Sequence, residues 1–384
     1  VTAAPAIAPG ATLGVLGGGQ LGRMFVHAAQ RLGYRCVVLD PDPDSPAGRV
    51  AERHLRADYL DEQALDVLAL DASAVTTEFE NVPARALRRL AERLPVAPAA
   101  SSVAVCQDRA LEKALFQRCG VRCVPHAVID DESTLAAAPD ALLPGILKTA
   151  QLGYDGKGQR SVSSRPQLAD AWRGLGAVRC VLEARLDLAI EISVVLARSA
   201  GGRELVSFAP FRNLHRDGIL AVTQWPAQLD DATTGAAVAA ARAIAQTLDH
   251  VGVLCVEFFV DHHGTLYANE MAPRPHNSGH CTIDASDASQ FDWQVRALAG
   301  LPLPEPRAHS NAVMLNLLGD LWRDGAAPDW RGVLALPGAH LHLYGKAQAR
   351  PGRKMGHLTL TAPSATAAEA TAREAARQLG LPAW

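Results

Sequence analysis

Glu257-Phe-Phe-Val-Asp261, then His262-His263-Gly264, then Leu266-Tyr-Ala-Asn269-Glu270-Met-Ala-Pro-Arg274-Pro-His276-Asn277-Ser278-Gly279-His280, is the stretch on which the reading of the fold turns. Val251 to Val260 is apolar and rich in β-branched residues, His-His-Gly supplies a short turn, and Leu266 to Asn269 reads as a returning strand. A hairpin of this kind lets Glu257, Asn269 and Glu270 point at one spot. Carboxylate and amide oxygens are hard ligands suited to Mg²⁺, which takes its remaining ligands from water and nucleotide phosphates. Glu257 stands among Cys255, Val256, Phe258, Phe259 and Val260, so a solvated surface role fits it badly, and a buried carboxylate needs a partner. A zinc site built from His276, His280 and Cys281 is the competing reading, and it lacks a fourth ligand at finger-like spacing.

Working outward, 384 residues exceed one ordinary core, so two or three domains are expected. A net charge of −3 argues against a general nucleic-acid or anionic-membrane surface and points to small-molecule partners. The seven cysteines are scattered without a C-x-x-C, which reads as reduced thiol in a cytoplasm. No apolar run is long enough to span a bilayer, and residues 1–11 read as a loose tail rather than a signal peptide.

Upstream, Thr12-Leu-Gly-Val-Leu16 reads as a strand that Gly17-Gly-Gly-Gln20-Leu21-Gly22 turns into a helix, followed by a strand Arg35–Asp40 ending in an acid. This is the dinucleotide fingerprint, in which a helix N-terminus receives phosphate; tight packing of helix on strand explains the glycines equally well. Glu78, at the end of the strand Ala74–Glu80, sits where an α/β sheet forms its ligand crevice and is a candidate for a ribose hydroxyl, with solvation near a helix N-terminus as the alternative. Asp108 caps a helix Arg109–Arg118 on which Arg109 and Lys113 share a face, and a surface salt bridge is the expectation for Lys113. Pro144–Thr149 is a strand carrying Lys148. The turn Gly153-Tyr154-Asp155-Gly156-Lys157-Gly158-Gln159 has the three glycines and the lysine of a loop that closes over phosphates, although it is not a Walker A sequence. Glu183-Ala184-Arg185-Leu186 can pass along an adenine edge through backbone groups, with Glu191, opening the next strand, for the ribose. Asn213 to Gly218 reads as a polar turn whose His215 is a phosphate donor or simply a turn residue. Near the end, Lys346, Arg350, Arg353 and Lys354 form a cationic cluster suggesting an anion site.

Taken together, Gly-Gly-Gly-Gln-Leu-Gly-Arg-Met, Gly-Tyr-Asp-Gly-Lys-Gly-Gln, Asn-Leu-His-x-Asp-Gly-Ile, Asn-Glu-x-Ala-Pro-Arg-x-His-Asn-Ser-Gly-His and Pro-Gly-Arg-Lys-x-Gly-His resemble, in this order, the 5-(carboxyamino)imidazole ribonucleotide synthase family of ATP-grasp enzymes. The resemblance runs from about residue 12 to residue 360. It implies an α/β and α+β chain: a Rossmann-like domain over 12–107, an ATP-grasp domain over 108–305 with a lid at about 120–187 and a core at about 188–305, and a small β-rich C-terminal domain over 306–384. It also implies carboxylation of 5-aminoimidazole ribonucleotide with ATP, Mg²⁺ and bicarbonate, in a cytoplasmic homodimer of purine biosynthesis. Carried over by position, Arg109, Lys148, Gly153 to Gln159, Glu183 to Leu186, Glu191, His215, Asn269 and Glu270 would contact ATP, and Glu257 and Glu270 would hold the metal. Gln20, Leu21, Glu78, Tyr154, Asp155, Arg274, His276, Asn277, Ser278, Lys346 and Arg353 would bind the ribonucleotide and the carboxyl intermediate. Of these, Arg274, His276, Lys346 and Asp155 would be catalytic, with His276 drawing a proton from the attacking amine. Cys281 stands where the family commonly has an aromatic residue. Another ATP-grasp ligase, such as formate-dependent glycinamide ribonucleotide transformylase, is the neighbouring alternative. An NAD-binding Rossmann oxidoreductase and a non-catalytic binding module are the alternatives from other classes.

Overall fold

The computed structural model describes residues 6–151, 158–322 and 325–384. The first sheet is parallel throughout. Strands β1 (Thr12–Leu16), β2 (Arg35–Leu39), β3 (Arg53–Leu55) and β4 (Ala74–Thr77) lie in the order β3-β2-β1-β4. The near-continuous apolar runs of β1 and β2 suit a sheet covered on both faces. The helix after the glycine turn spans Gln20–Arg31 and buries Leu21, Met24, Phe25 and Val26. The strand β3 and the helix Glu62–Asp71 carry weaker apolar periodicity, and the sequence reading passed over them.

Strands β5 (His126–Ile129), β6 (Gly145–Thr149), β7 (Gln159–Val162) and β8 (Cys180–Ala184) form a second, antiparallel sheet in the order β5-β8-β6-β7. The turn joining β6 to β7 contains Gly153, Tyr154, Asp155, Gly156 and Lys157, which lie outside the described residues; Gly158 and Gln159 close it.

The third sheet has nine strands: β9 (Leu188–Arg198), β10 (Leu205–Ser207), β11 (Phe211–Arg216), β12 (Ile219–Trp225), β13 (Gly252–Asp261), β14 (Leu266–Ala272), β15 (Asn311–Leu318), β16 (Ala339–Leu343) and β17 (Lys354–Ala362). Its order is β14-β13-β9-β11-β12-β15-β17-β16, with β10 on β9. The segment from Asn213 to Arg216 is strand rather than turn. The reversal is made only by Asp217 and Gly218, both at positive φ, as a two-residue hairpin requires. Glu191 accordingly sits within β9 rather than at its start, and Asn213 of β11 pairs with it in register. The three C-terminal strands extend the same sheet through β12 and β15, and the helix Ala365–Leu379 covers them with Ala368, Ala372, Ala375 and Leu379.

Gln294, almost fully buried on the helix Gln290–Ala299, stitches the first sheet to the third. Its Oε1 accepts from Val253 N at 2.6 Å and its Nε2 donates to Thr76 Oγ1 at 2.8 Å. The ends of β4 and of the β13–β14 hairpin are thereby held in one place.

Candidate active site

β13 and β14 pair antiparallel, with Val256 opposite Met271 and Phe258 opposite Ala268. One residue, Glu257, therefore faces two, Asn269 and Glu270. Such a bulge re-aims side chains out of the regular alternation, and it explains how two adjacent residues of β14 serve one site. Glu257 is buried, with its Oε1 3.0 Å from His276 Nε2. Burial would raise its pKa, but His276, His215 and Lys354 hold it down at about 2. Glu270 Oε2 lies 3.0 Å from Arg109 Nη1. The Asn269 side-chain oxygen is buried and has no hydrogen-bond partner, which calls for an explanation. Two carboxylates and an unpaired amide oxygen fit the all-oxygen ligand set that Mg²⁺ takes.

Lys113 corrects the surface-pair expectation, being almost wholly buried. Its Nζ donates to Asn269 O at 2.8 Å and stands 2.9 Å from Glu183 Oε1, while Lys148 Nζ of β6 takes Glu183 Oε2 at 2.6 Å. Burial opposes ionisation of Glu183, yet the two lysines hold its pKa at about 2. The carboxylate thus fixes Lys148 on β6, an inner strand of the second sheet, and through Lys113 links it to the hairpin. Ala184 and Arg185 donate their N–H groups to Pro125 O and Pro144 O, so neither amide is left to donate to an adenine edge. Glu191 and His215 meet each other, Oε2 to Nδ1 at 2.5 Å, from β9 and β11. Burial lowers the His215 pKa, but the Glu191 hydrogen bond and the Glu257 charge raise it overall.

Sequence reasoning missed Glu112. It is buried one residue before Lys113 and accepts from Met271 N at 2.6 Å. Burial raises its pKa from 4.5 to about 8, with Lys113 opposing and Glu270 adding to the rise. An acid whose folded pKa is raised contributes stability that is complete below its unfolded value and is lost as the pH climbs through its folded value. Glu112→Gln keeps an acceptor for Met271 and is therefore expected to flatten the decline of Tm between pH 4.5 and 8, read by thermal denaturation across that range; an unchanged slope would assign the decline to other groups.

The second half of the site follows directly in sequence. Arg274 is ion-paired with Glu80, a residue the sequence reading quoted but gave no role. Burial opposes the Arg274 charge, and Glu80 with Glu78 more than compensates, so the guanidinium stays charged. His276 donates or accepts at Nδ1 with Ser278 Oγ at 2.9 Å, and Ser278 Oγ meets Ser193 Oγ at 2.7 Å. Burial lowers the His276 pKa, but Cys255 and Glu257 raise it overall to about 10. Both ring nitrogens are engaged, Nε2 by the Glu257 carboxylate and Nδ1 by the Ser278 hydroxyl and N–H. A raised proton affinity favours a donor role for this ring over the expected one of drawing a proton from the amine. Asn277 is buried with neither end of its amide partnered, as a residue awaiting a polar ligand would be.

Glu78 reaches the glycine turn itself, accepting from Gly19 N at 2.9 Å and Gly22 N at 3.1 Å, while Asp40 accepts from Gly18 N at 2.7 Å. A Cβ on Gly19 would meet Glu78 Oε1 at 2.7 Å, so glycine there admits a carboxylate. The N–H groups that a dinucleotide phosphate would need are already taken by acids, which removes the footing of the NAD reading. Leu21 packs in the core, and with Glu78 and Pro275 it lines one small cavity beside Arg274. Gln20 opens the helix above it. Lys346 Nζ sits 5.7 Å from the centre of the Tyr344 ring, and Arg353 Nη1 donates to Gln348 O at 2.8 Å, so the segment between β16 and β17 carries these two cations. All seven cysteines are free, and Cys281 is fully buried with its thiol 3.9 Å from Ser278 O. His276 is engaged by Glu257 and Ser278, so the proposed zinc set His276, His280 and Cys281 does not assemble.

The ATP-grasp domain family matches residues 114–291, the ribonucleotide synthetase preATP-grasp domain 10–107, and the phosphoribosylaminoimidazole carboxylase C-terminal domain 312–371. The N5-carboxyaminoimidazole ribonucleotide synthase of Brucella melitensis is 45% identical over 92% of this chain and 97% of its own, and that of Bacillus subtilis 38% over 92% of each. Among solved structures, the Thermus thermophilus synthetase superposes with a TM-score of 0.88 at 38% identity, covering 97% of this chain and 99% of that one. The Aspergillus clavatus enzyme, solved with ADP and 5-aminoimidazole ribonucleotide, gives 0.87 at 31% identity, covering 96% and 98%. The chain belongs to the N5-carboxyaminoimidazole ribonucleotide synthase family of ATP-grasp ligases.

Proposed function

We propose that the chain carries out its family's reaction with the residues gathered around the β13–β14 hairpin: ATP, bicarbonate and 5-aminoimidazole ribonucleotide give ADP, phosphate and 5-(carboxyamino)imidazole ribonucleotide. The observation that carries this reading is the bulge that sets Glu257 opposite Asn269 and Glu270, immediately before Arg274, His276 and Asn277. On this reading a phosphoryl-transfer end and a carboxyl-transfer end share one hairpin.

Bicarbonate is a poor electrophile, so one of its oxygens attacks the γ-phosphorus and the bond from that phosphorus to the β–γ bridging oxygen breaks, releasing ADP and forming carboxyphosphate. Glu257, Glu270 and Asn269 would hold Mg²⁺, which when bound neutralises phosphate charge. Lys148, braced by Glu183, spreads the charge that develops on the transferred group, and Arg109 flanks it. The amine nitrogen then attacks the carboxyl carbon, either of carboxyphosphate or of the CO₂ it releases. The C–O bond to phosphate breaks, and the liberated phosphate takes the amine proton. Arg274 and His276 donate to the anionic oxygens throughout. Carboxyphosphate hydrolyses readily, so the glycine turn from Gly153 to Gln159, carrying Tyr154 and Asp155, serves as the cover that excludes water. Asn277, Ser278, Gln20, Leu21 and Glu78 seat the base and ribose, and Lys346 and Arg353 hold the 5′-phosphate. The working unit on this reading is a cytoplasmic homodimer, which light scattering of the purified chain checks for assembly.

Separate seats for two anions make a kinetic prediction. Lys346→Ala and Arg353→Ala raise KM for the aminoimidazole nucleotide about tenfold or more while KM for ATP moves little, since each removes a charge-assisted contact of about 1.5–3 kcal/mol. Arg109→Ala does the reverse. Steady-state kinetics with each substrate varied in turn would reject the division if both KM values rose together in every variant.

A further inference from the structure

Asn213 opens the Asn-Leu-His motif of β11 but takes no part in the reaction above. The sheet shows what it faces. Asn213 lies opposite Thr223 of β12 on one side and Glu191 of β9 on the other, and two residues along β9 Ser193 lies opposite Glu257 of β13. Side chains two apart on a strand share a face, so Thr223, Asn213, Ser193 and Glu257 form one polar row across four strands. Thr223, Asn213 and Ser193 are all buried. Hydroxyls and an amide in such a place are costly unless bonded, and these are joined end to end.

Thr223 Oγ1 donates to Asn213 Oδ1 at 3.0 Å, Asn213 Nδ2 donates to Ser193 Oγ at 3.0 Å, Ser193 Oγ meets Ser278 Oγ at 2.7 Å, and Ser278 Oγ meets His276 Nδ1 at 2.9 Å. The direction of this chain is set at both ends. Turning the Asn213 amide over would present an N–H to Thr223 and leave the threonine hydroxyl hydrogen without an acceptor among the described residues. With the amide held, Ser193 receives from Asn213 and has its one hydrogen for Ser278, which has its own for His276. At the far end Ser278 N also donates to His276 Nδ1, at 3.3 Å. A ring hydrogen on Nδ1 would face both donors. It belongs instead on Nε2, 3.0 Å from Glu257 Oε1.

We propose that Asn213 and Ser193 are positioning residues for His276: by aiming the Ser278 hydroxyl at Nδ1 they fix the orientation of the ring and place its hydrogen on Nε2. Which nitrogen of a histidine carries the hydrogen is set by the bond the other makes, and here the deciding amide acts through two serines rather than by contact. A donor at Nε2 is what the carboxyl half of the site uses, so the kinetic consequence, though not the hydrogen-bond chain itself, rests on the role proposed for His276 above.

The test uses the full chain labelled with ¹⁵N-histidine and read by NMR at one neutral pH with Mg²⁺ present, the His276 signals being those lost in His276→Gln. The unaltered chain is expected to show a bare Nδ1 and a hydrogen on Nε2. Asn213→Asp is close in size and replaces the donor with a second acceptor, which turns each hydroxyl round and should bring a hydrogen to Nδ1. Ser193→Ala cuts the chain and should populate both forms of the ring; it disturbs the sheet less, so a folding failure of Asn213→Asp leaves the proposal testable. Ser193→Ala should also lower kcat/KM for the aminoimidazole nucleotide about tenfold, the rate equivalent of one lost hydrogen bond, while KM for ATP moves less than about twofold. A hydrogen on Nδ1 in the unaltered chain, or His276 signals that stay in place in both variants while only Tm falls, overturns the assignment. A ring that follows Asn213 without the kinetic effect upholds the chain of bonds and counts against the role of His276 in carboxyl transfer.

Discussion

Glu183→Gln is expected to cost about 3–5 kcal/mol of stability, the loss typical of removing one partner from a buried ion pair. The magnitude follows from where the charges sit. Lys113 and Glu183 are almost wholly buried and Lys148 nearly so, with both lysines resting on the single carboxylate. Glutamine leaves two ammonium groups in a low-dielectric interior with one amide oxygen between them, and they can recover only by deprotonating or by letting water in. Urea denaturation at neutral pH measures the loss. The same substitution frees Lys148 from its fixed position, so KM for ATP should rise in whatever protein remains folded. A stability change below about 1 kcal/mol, in the range of surface pairs, would mean that the triad is solvated in solution.

The second large effect concerns chemistry rather than stability. Glu257→Gln and Glu270→Gln are each expected to lower kcat about 100–1000-fold, which corresponds to the few kcal/mol a metal contributes when it stabilises transition-state charge. The two variants should differ in a second respect. Glu257→Gln also removes the anion that raises the proton affinity of His276, so substrate binding in the carboxyl half should change with it. Glu270→Gln breaks the contact with Arg109 and leaves the Glu257–His276 pair in place, so it should spare that half. Activity within tenfold of the unaltered chain in both variants would remove the hairpin acids from the mechanism.

Much of this was legible in the residues because the hairpin announces itself: an apolar β-branched run, a His-His-Gly reversal and acids at matching distances. The glycine turn after β1, the Asp108 cap and the C-terminal strands read correctly for similar local reasons. What escaped was set by contacts distant in sequence. Lys113 looks like a surface residue from its helix position, and only its approach to Glu183 and to the Asn269 carbonyl, 156 residues away, buries it. Glu80 gains its meaning from Arg274, 194 residues on. The bulge in β14 leaves no mark in a pattern of alternation, and Asn213 to Arg216 looked like a turn because polar residues dominate a strand that lines a site. The pKa of His276 likewise depends on Glu257, 19 residues earlier, so no local sequence argument could have given the direction of its shift.

The most direct test of the account follows carbon. Incubated with ¹³C-labelled bicarbonate, ATP, Mg²⁺ and 5-aminoimidazole ribonucleotide, the chain should form a carbamate ¹³C resonance on the exocyclic nitrogen, with one ADP released per carbamate. ADP release that ignores bicarbonate and instead requires formate and glycinamide ribonucleotide would contradict it.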